Sequence, residues 1–175
     1  MEIRTTTPAD VPDLRAVYDP HTTDSHSTFH TEPVPPAVWD GRITSDHPGD
    51  HVLVAVDGGR VLGTARSTEY RAKEAYGATR ETSVHLAASG RGLGRALYDD
   101  LLGRLTEAGM HTAVAAVALP NDASVRGLHD GRRSDARRGP SGGVPGPLTM
   151  RGQVSSSASS RRRASTTPAA PITTR

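Results

Sequence analysis

Three glycines alternate with larger residues in a short segment that reads Gly90, Arg91, Gly92, Leu93, Gly94, Arg95. Because glycine carries no side chain, several backbone N–H groups can converge on one point there. A helix that begins in this segment adds the positive end of its dipole. The pattern predicts a cradle for a diphosphate, and its simpler alternative is a tight turn at a helix start.

A helix and a buried strand follow the glycine segment. Leucines at 97, 101 and 105 recur at helical spacing, and Gly109 ends the pattern. Residues 112–119 are small or β-branched and almost all apolar, which is typical of a strand covered on both faces. Pro120 ends this strand and Asn121 follows it. Taken by itself, Asn121 reads as a turn former after the proline.

The elements before the glycine segment are predicted from shorter patterns. Residues 2–5 read as a first strand, a helix capped by Thr7 follows, and residues 37–44 can form a second helix around Trp39. Residues 52–56 and 61–66 flank two glycines and predict a β-hairpin. A further strand over residues 82–86 leads into the glycine segment, and Glu81 immediately precedes it.

Composition divides the chain at about residue 131. All six aromatic residues lie at or before Tyr98, and residues 132–175 contain nine arginines and one acid. This tail carries a net charge of +8 within a chain of +2, so residues 1–131 sum to −6. The absence of cysteine, signal peptide and membrane-length apolar stretch favours a cytoplasmic protein with no membrane partner. His21, His26 and His30 have no acid or cysteine at ligand spacing, so no metal site is predicted.

The order of loop, helix, buried strand and asparagine resembles that of the GCN5-related N-acetyltransferases, and most of all the phosphinothricin N-acetyltransferase group. The resemblance covers about residues 2–131 and is most specific in the run from Leu119 to Arg126. Its other marks in this sequence are Phe29, Thr31, Glu32, Pro33, Trp39, the strand 52–56, Lys73, Ala75, Tyr76, Glu81, Ser83 and Val84. The resemblance implies an α/β fold with a mixed, mostly antiparallel sheet flanked by helices.

The resemblance also implies roles for individual residues. Glu81 matches the general base of the family, and residues 90–95 match its loop for the pyrophosphate of coenzyme A, with Asn121 also on the coenzyme A side. Arg71, Lys73 and Tyr76 match positions around an acidic substrate. The implied reaction moves acetyl from the co-substrate acetyl-CoA to the amine of a small, phosphinothricin-like amino acid, without a metal.

Several departures from the family pattern bear on activity. Lys73 stands where arginine is usual, His85 replaces a tyrosine, Ser89 replaces glutamine or arginine, and the passage 84–90 is about two residues short. The tail 132–175 replaces a glycine-phenylalanine turn and two final strands. Its composition predicts disorder and an incomplete domain over 1–131, as expected of a gene read out of frame.

Two other functions remain open from the sequence. The first is a catalytically inactive protein that binds coenzyme A or a partner. The second is nucleic-acid binding through the arginines of the tail, which lacks aromatics for stacking, so the interpretation here is against a nucleic-acid partner. The sequence leaves a homodimer open.

Overall fold

In the part of the chain that the structure describes, six strands form one mixed sheet and lie side by side in the order of the sequence. The computed structural model describes residues 1–23, 32–88, 90, 92–119, 121 and 148–156. The strands are β1 (Glu2–Thr5), β2 (His51–Asp57), β3 (Arg60–Glu69), β4 (Thr79–Leu86), β5 (Thr112–Leu119) and β6 (Thr149–Ser156). β1 to β4 pair antiparallel, whereas β4, β5 and β6 pair in parallel.

Within these described ranges, three helices cover the sheet: α1 (Val11–Thr23), α2 (Pro36–Ile43) and α3 (Leu93–Glu107). Single turns of 3₁₀ helix occur at Pro8–Asp10 and Glu74–Tyr76. The predicted α/β fold with a mostly antiparallel sheet and flanking helices is confirmed. Among the described residues, no helix is both long and apolar enough to cross a membrane.

The hairpin of β2 and β3 forms where the sequence predicted it. Asp57 and Arg60 are paired, and Gly58 and Gly59 between them have φ angles of 55° and 78°. Two successive left-handed residues match the right-handed twist of a tight hairpin, which explains why glycine occupies both positions.

The two faces of the sheet carry separate apolar cores. On one face α3 buries a leucine stripe, and on the other α1 and α2 bury a second cluster in which the rings of Tyr18 and Trp39 meet edge to face at 5.0 Å. Val52 and Val54 belong to the second core and Leu53 and Ala55 to the first. This alternation fixes which side chains of each strand face α1 and α2.

Strand β6 corrects the expectation that both final strands are missing, because the described residues contain one strand after β5. Residues 149–156 pair with β5 over its full length, and Leu148 just before them is 4% exposed in the α3 core. That expectation was based only on the small number of apolar residues in the tail. The outer edge of β5 also offers a row of backbone N–H and C=O groups, which a short strand can pair with. Residues 132–147 and 157–175 lie outside the described residues, so disorder there stays a prediction.

Candidate active site

The parallel strands β4 and β5 are paired only at the start of their lengths. Thr79, Arg80 and Glu81 are opposite Thr112, Ala113 and Val114, and no later position of either strand is paired with the other. β4 continues to Leu86 and β5 to Leu119. A gap therefore opens beyond Glu81, and the backbone groups on its two sides are available to an extended ligand.

A hydrogen-bond chain lies at the closed end of this gap. The Thr82 hydroxyl donates to the Val114 carbonyl at 3.3 Å and lies 3.0 Å from the Tyr98 hydroxyl of α3. Since Thr82 has a single hydroxyl proton, Tyr98 donates to Thr82. Burial raises the pKa of Tyr98, which keeps the phenol protonated for this role.

Glu81 lies inside β4 at the last paired position. The sequence placed it just before the strand, but β4 begins at Thr79. The strand lies between β3 and β5, so Glu81 is not on an edge strand of the sheet. Glu81 is half-buried, and its registered neighbours are Thr68 and Val114. Its side chain shares the α1 and α2 face of the sheet with that of Ser83.

The glycine loop follows the other end of β4. Gly90 and Gly92 have φ angles of 105° and 70°, and a Cβ atom at either position would meet no other atom within 4 Å. Gly92 precedes α3, and its carbonyl accepts the first helical hydrogen bond from Ala96 at 3.0 Å. The N–H groups of the first helical turn thus have no partner within the helix. Ser89 and Arg91 lie outside the described residues.

The remaining residues of the predicted cradle have different surroundings. Leu93 is 6% exposed and packs into the α3 core, so its side chain is structural. A Cβ on Gly94 would come within 3.3 Å of Leu86, which shows that this glycine permits close packing of α3 on β4. Arg95 pairs with Asp99 at 3.5 Å on an exposed surface. These three residues can offer the cradle their backbone N–H groups, and a side-chain role stays a prediction only for Arg95.

Asn121 lies just beyond the end of β5 and is half-buried. This position puts it past the open end of the gap, beside the carboxyl end of a parallel strand. The residues around it, Pro120 and 122–130, lie outside the described residues. Its contact with a ligand stays a prediction.

The predicted substrate residues lie in the connection from β3 to β4. The Arg71 guanidinium lies 5.1 Å from the ring centre of Tyr70 and 5.8 Å from that of Tyr76. These two rings meet edge to face at 5.5 Å. Lys73 is exposed, and its backbone N–H donates to the Arg71 carbonyl at 2.7 Å. The structure therefore brings Arg71 and Tyr76 into one group, with Lys73 beside it in the chain.

Two arginines that the sequence interpretation did not single out lie on the same face as Glu81. Arg66 donates from Nε to the Ser83 hydroxyl at 2.9 Å and lies 5.7 Å from the ring centre of Tyr18. Arg42 lies 4.9 Å from the ring centre of Trp39. Burial, and secondarily the charge of Arg66, lowers the pKa of Arg42 to about 10. For Arg66, the available signal was the pair of polar residues at alternating positions 64 and 66 of the predicted strand.

His85 is 6% exposed, and its ring meets the rings of Tyr18 at 4.6 Å and of His21 at 5.2 Å. His21 Nε2 lies 3.0 Å from the carbonyl of Leu86. His85 stands where the resembled family has a tyrosine, and it packs among the rings of Tyr18 and His21 beside the end of β4. His26 and His30 lie outside the described residues, so the prediction of no metal is untested.

The arrangement suits a long ligand with two chemically different ends. The glycine loop and Glu81 lie at opposite ends of the free part of β4, and Glu81 and Leu86 alone are about 17 Å apart in an extended strand. Backbone hydrogen-bonding groups line the path between them. A molecule with a phosphate at one end, amides along its length and a reactive group at the other would be complementary to all three parts.

Comparison with known proteins agrees with this geometry. The acetyltransferase (GNAT) family matches residues 14–129. The phosphinothricin N-acetyltransferase of Streptomyces coelicolor is 36% identical over 136 residues, which is 74% of this chain and 78% of the relative. The L-methionine sulfoximine/L-methionine sulfone acetyltransferase of Pseudomonas paraeruginosa is 35% identical over 128 residues, 69% of this chain and 72% of the relative.

A solved structure shows the same fold. The phosphinothricin acetyltransferase of Sinorhizobium meliloti in complex with acetyl-CoA aligns with a TM-score of 0.68 and 27% identity, over 74% of this chain and 72% of that one. The chain belongs to the acetyltransferase (GNAT) family. It is an N-acetyltransferase that resembles the phosphinothricin branch, which confirms the class inferred from the sequence.

Proposed function

We propose that the protein transfers the acetyl group of acetyl-CoA to the amine of a small amino acid of the phosphinothricin or methionine sulfoximine type. The observation that carries this proposal is the position of Glu81. It is a half-buried carboxylate inside the sheet, at the closed end of the gap whose other end meets the glycine loop. We propose the cytoplasm as the compartment, because acetyl-CoA is available there.

The residues present fit acetyl-CoA. Gly90 and Gly92 leave open space where side chains would stand, and the first N–H groups of α3 suit a pyrophosphate. The free backbone groups of β4 and β5 suit the amides of the pantetheine arm. When bound, acetyl-CoA supplies a thioester that a free amine can attack. Relatives that act on such amines and a neighbour bound to acetyl-CoA support the proposal.

Glu81 acts as the proton acceptor. The amine of an amino acid is protonated near neutral pH and must lose a proton before its lone pair can attack a carbonyl carbon. The Glu81 carboxylate accepts this proton, directly or through a water molecule. The new N–C bond then forms, the C–S bond breaks, and the sulfur leaves as a thiolate that is protonated to the thiol. Backbone N–H groups that line the gap stabilise the negative charge on the carbonyl oxygen.

Arg71, Lys73 and Tyr76 hold the carboxylate of the acceptor. They lie in the connection that leads into β4, five to ten residues before Glu81, and an amino acid bound there would extend its amine toward the carboxylate. Lys73 offers a point charge where an arginine would offer a fork, and Arg71 supplies the planar group. The ring contacts of Arg71 with Tyr70 and Tyr76 restrain it for this role.

The test is an acetylation assay on the full chain. Purified protein, acetyl-CoA and each of phosphinothricin, methionine sulfoximine and methionine sulfone are mixed, and free thiol and acetylated product are measured. Turnover of at least one of these three above that of methionine and glutamate supports the proposal. Binding of coenzyme A by calorimetry without turnover of any amine would identify the protein as an inactive coenzyme A binder.

Two further expectations accompany the proposal. We expect that no nucleic acid takes part. Removing residues 157–175 should then leave acetylation unchanged, and the full chain should not shift a labelled duplex at physiological salt.

A homodimer is the open alternative to a monomer. Light scattering of the purified chain distinguishes the two.

A further inference from the structure

A pair of cationic side chains lies without an acidic partner on the face of the sheet that carries Glu81. Among the described residues, no ion pair joins Arg42 or Arg66 to a carboxylate. Both residues are half-buried. The Nη1 atom of Arg42 is fully buried and has no hydrogen-bond partner.

The contacts of the two arginines orient them but do not neutralise them. The rings below them, Tyr18 and Trp39, are 1% and 0% exposed and touch one another. A ring face attracts a cation yet carries no net charge. The mutual repulsion of the two guanidinium groups adds to the burial that lowers the pKa of Arg42 to about 10. Two half-buried positive charges in proximity favour the binding of an anion between them.

The position of the pair relative to Glu81 follows from strand register. Arg66 is opposite Ser83, and Glu81 is opposite Thr68, two residues away on the same face. Such diagonal neighbours lie about 7 to 8 Å apart, within reach of long side chains. The group of Arg71, Lys73 and Tyr76 lies toward the opposite end of β4 from Ser83. Glu81 is therefore flanked along the sheet by two cationic groups.

We propose that Arg42 and Arg66 form a second anion site, which binds a negatively charged side-chain group of the amino-acid acceptor. The inference rests on the proposed function and specifies its substrate class. The acceptor is an amino acid with two anionic groups, one held by Arg71 and Lys73 and the other by Arg42 and Arg66. The Ser83 hydroxyl orients Arg66 by occupying Nε, which leaves the terminal nitrogens for the ligand.

Steady-state kinetics with two acceptors test the proposal. Phosphinothricin carries an anionic phosphinate, whereas the side chain of methionine sulfone is neutral. In the full chain, Arg66→Gln and Arg42→Gln should each lower kcat/KM for phosphinothricin about tenfold or more, chiefly through KM. The value for methionine sulfone should change by less than about threefold, since that side chain makes no charged contact. Arg60→Gln is the matched control, an exposed arginine at the start of the same strand, and should change neither value.

Ser83→Ala provides a milder variant in case the arginine variants fold poorly. It keeps both charges and removes only the group that orients Arg66, so a selective loss with phosphinothricin is still expected. Equal losses with both acceptors, in variants with unchanged melting temperature, would show a purely structural role and overturn the proposal. A wild-type protein that uses methionine sulfone but not phosphinothricin would also overturn it while leaving the proposed function intact.

A protein that acetylates none of the amino acids would contradict the proposed function. The second anion site is then tested separately, by the binding of phosphinothricin. Calorimetry of phosphinothricin with the wild type and with Arg66→Gln should show binding that the substitution weakens about tenfold. Undetectable binding to the wild type, or equal affinity in both proteins, would overturn the site.

Discussion

Glu81 and Val114 form the last pair between the parallel strands β4 and β5, and the two strands separate directly beyond them. The candidate base is thus located at the closed end of the gap, where the reactive end of an extended donor would arrive. The Val114 carbonyl, which no later β4 N–H reaches, is instead satisfied by the Thr82 hydroxyl at 3.3 Å. The separation of the strands and the placement of the carboxylate are therefore parts of one local structure.

Replacing Glu81 by glutamine should lower turnover by about a hundredfold or more, because the amide cannot accept a proton from the acceptor amine. The affinity for coenzyme A, measured by calorimetry, should stay the same. Raising the pH should recover part of the lost rate, since solvent then deprotonates the amine. Glu69→Gln changes an exposed glutamate on the adjacent strand and serves as the control. An unchanged rate in Glu81→Gln would assign the proton transfer to another group.

Replacing Gly92 by aspartate should weaken coenzyme A binding about tenfold or more, because a negative side chain would occupy the open space of the cradle. Calorimetry with coenzyme A measures the effect. Gly109→Asp is a matched control at the other end of α3, with a φ of 74° and equally open space. It carries the same backbone strain and the same charge. Equal affinity in the two variants would place the phosphates elsewhere.

Replacing Thr82 by valine should lower the free energy of unfolding by about 1 to 3 kcal/mol, because the buried Val114 carbonyl and Tyr98 hydroxyl lose their partner. Urea denaturation measures the change. Thr68→Val provides the comparison on β3, where the side chain is half-buried. A Thr82 variant as stable as the Thr68 variant would mean that the hydroxyl does not hold the closed end of the gap.

Replacing Leu148 by alanine tests β6. Leu148 is 4% exposed in the α3 core, so its truncation should cost about 2 to 5 kcal/mol of unfolding free energy. Val38→Ala, at a position 41% exposed, should cost far less. Hydrogen exchange should show protected amides within residues 149–156 of the wild type. Rapid exchange there, together with a neutral Leu148 variant, would restore the view that the whole tail is unstructured.

Asp10 should make stability depend on acid pH. Its carboxylate accepts two hydrogen bonds from Arg4 at 2.7 Å and two from Thr7, and these hold its pKa well below the ordinary value. A lowered folded-state pKa stabilises the protein above the unfolded-state value of about 3.9 and ceases to do so as the pH falls through the folded-state value. Asp10→Asn should therefore be less stable than the wild type above about pH 5, and the difference should shrink below about pH 4. Melting curves from pH 3 to pH 7 test this.

Most of the elements could be predicted because their signals are local. Leucine spacing gave α3, the two glycines gave the β2–β3 hairpin, and the apolar run gave β5 with the bounds that the structure shows. The glycine loop, which is the candidate diphosphate cradle, was also visible in local sequence. The sequence did not reveal which residues of the loop pack into the core. The packing of Leu93 and Gly94 depends on how α3 approaches β4.

The features that local sequence could not reveal depend on partners distant in the chain. β6 forms because the edge of β5 is available to it, which no count of apolar residues within the tail can show. The pairing of Arg66 with Ser83 requires the register of β3 and β4. The proximity of Arg66 to Arg42 requires the packing of α2 on the same face of the sheet. In both cases the local sequence shows which residues are present, whereas contacts with distant parts of the chain determine what those residues do.

The parallel placement of β6 beside β5 also has a consequence for the order of folding. β2, β3 and β4 follow one another through short connections, whereas β1, β5 and β6 each join the sheet across more than 20 residues. Contacts between distant residues form more slowly than local ones, so β2 to β4 should assemble first and the parallel half of the sheet later. One wall of the proposed path for the donor belongs to that late half. Coenzyme A would then act as a ligand of the completed fold and pull the final folding step toward the native state.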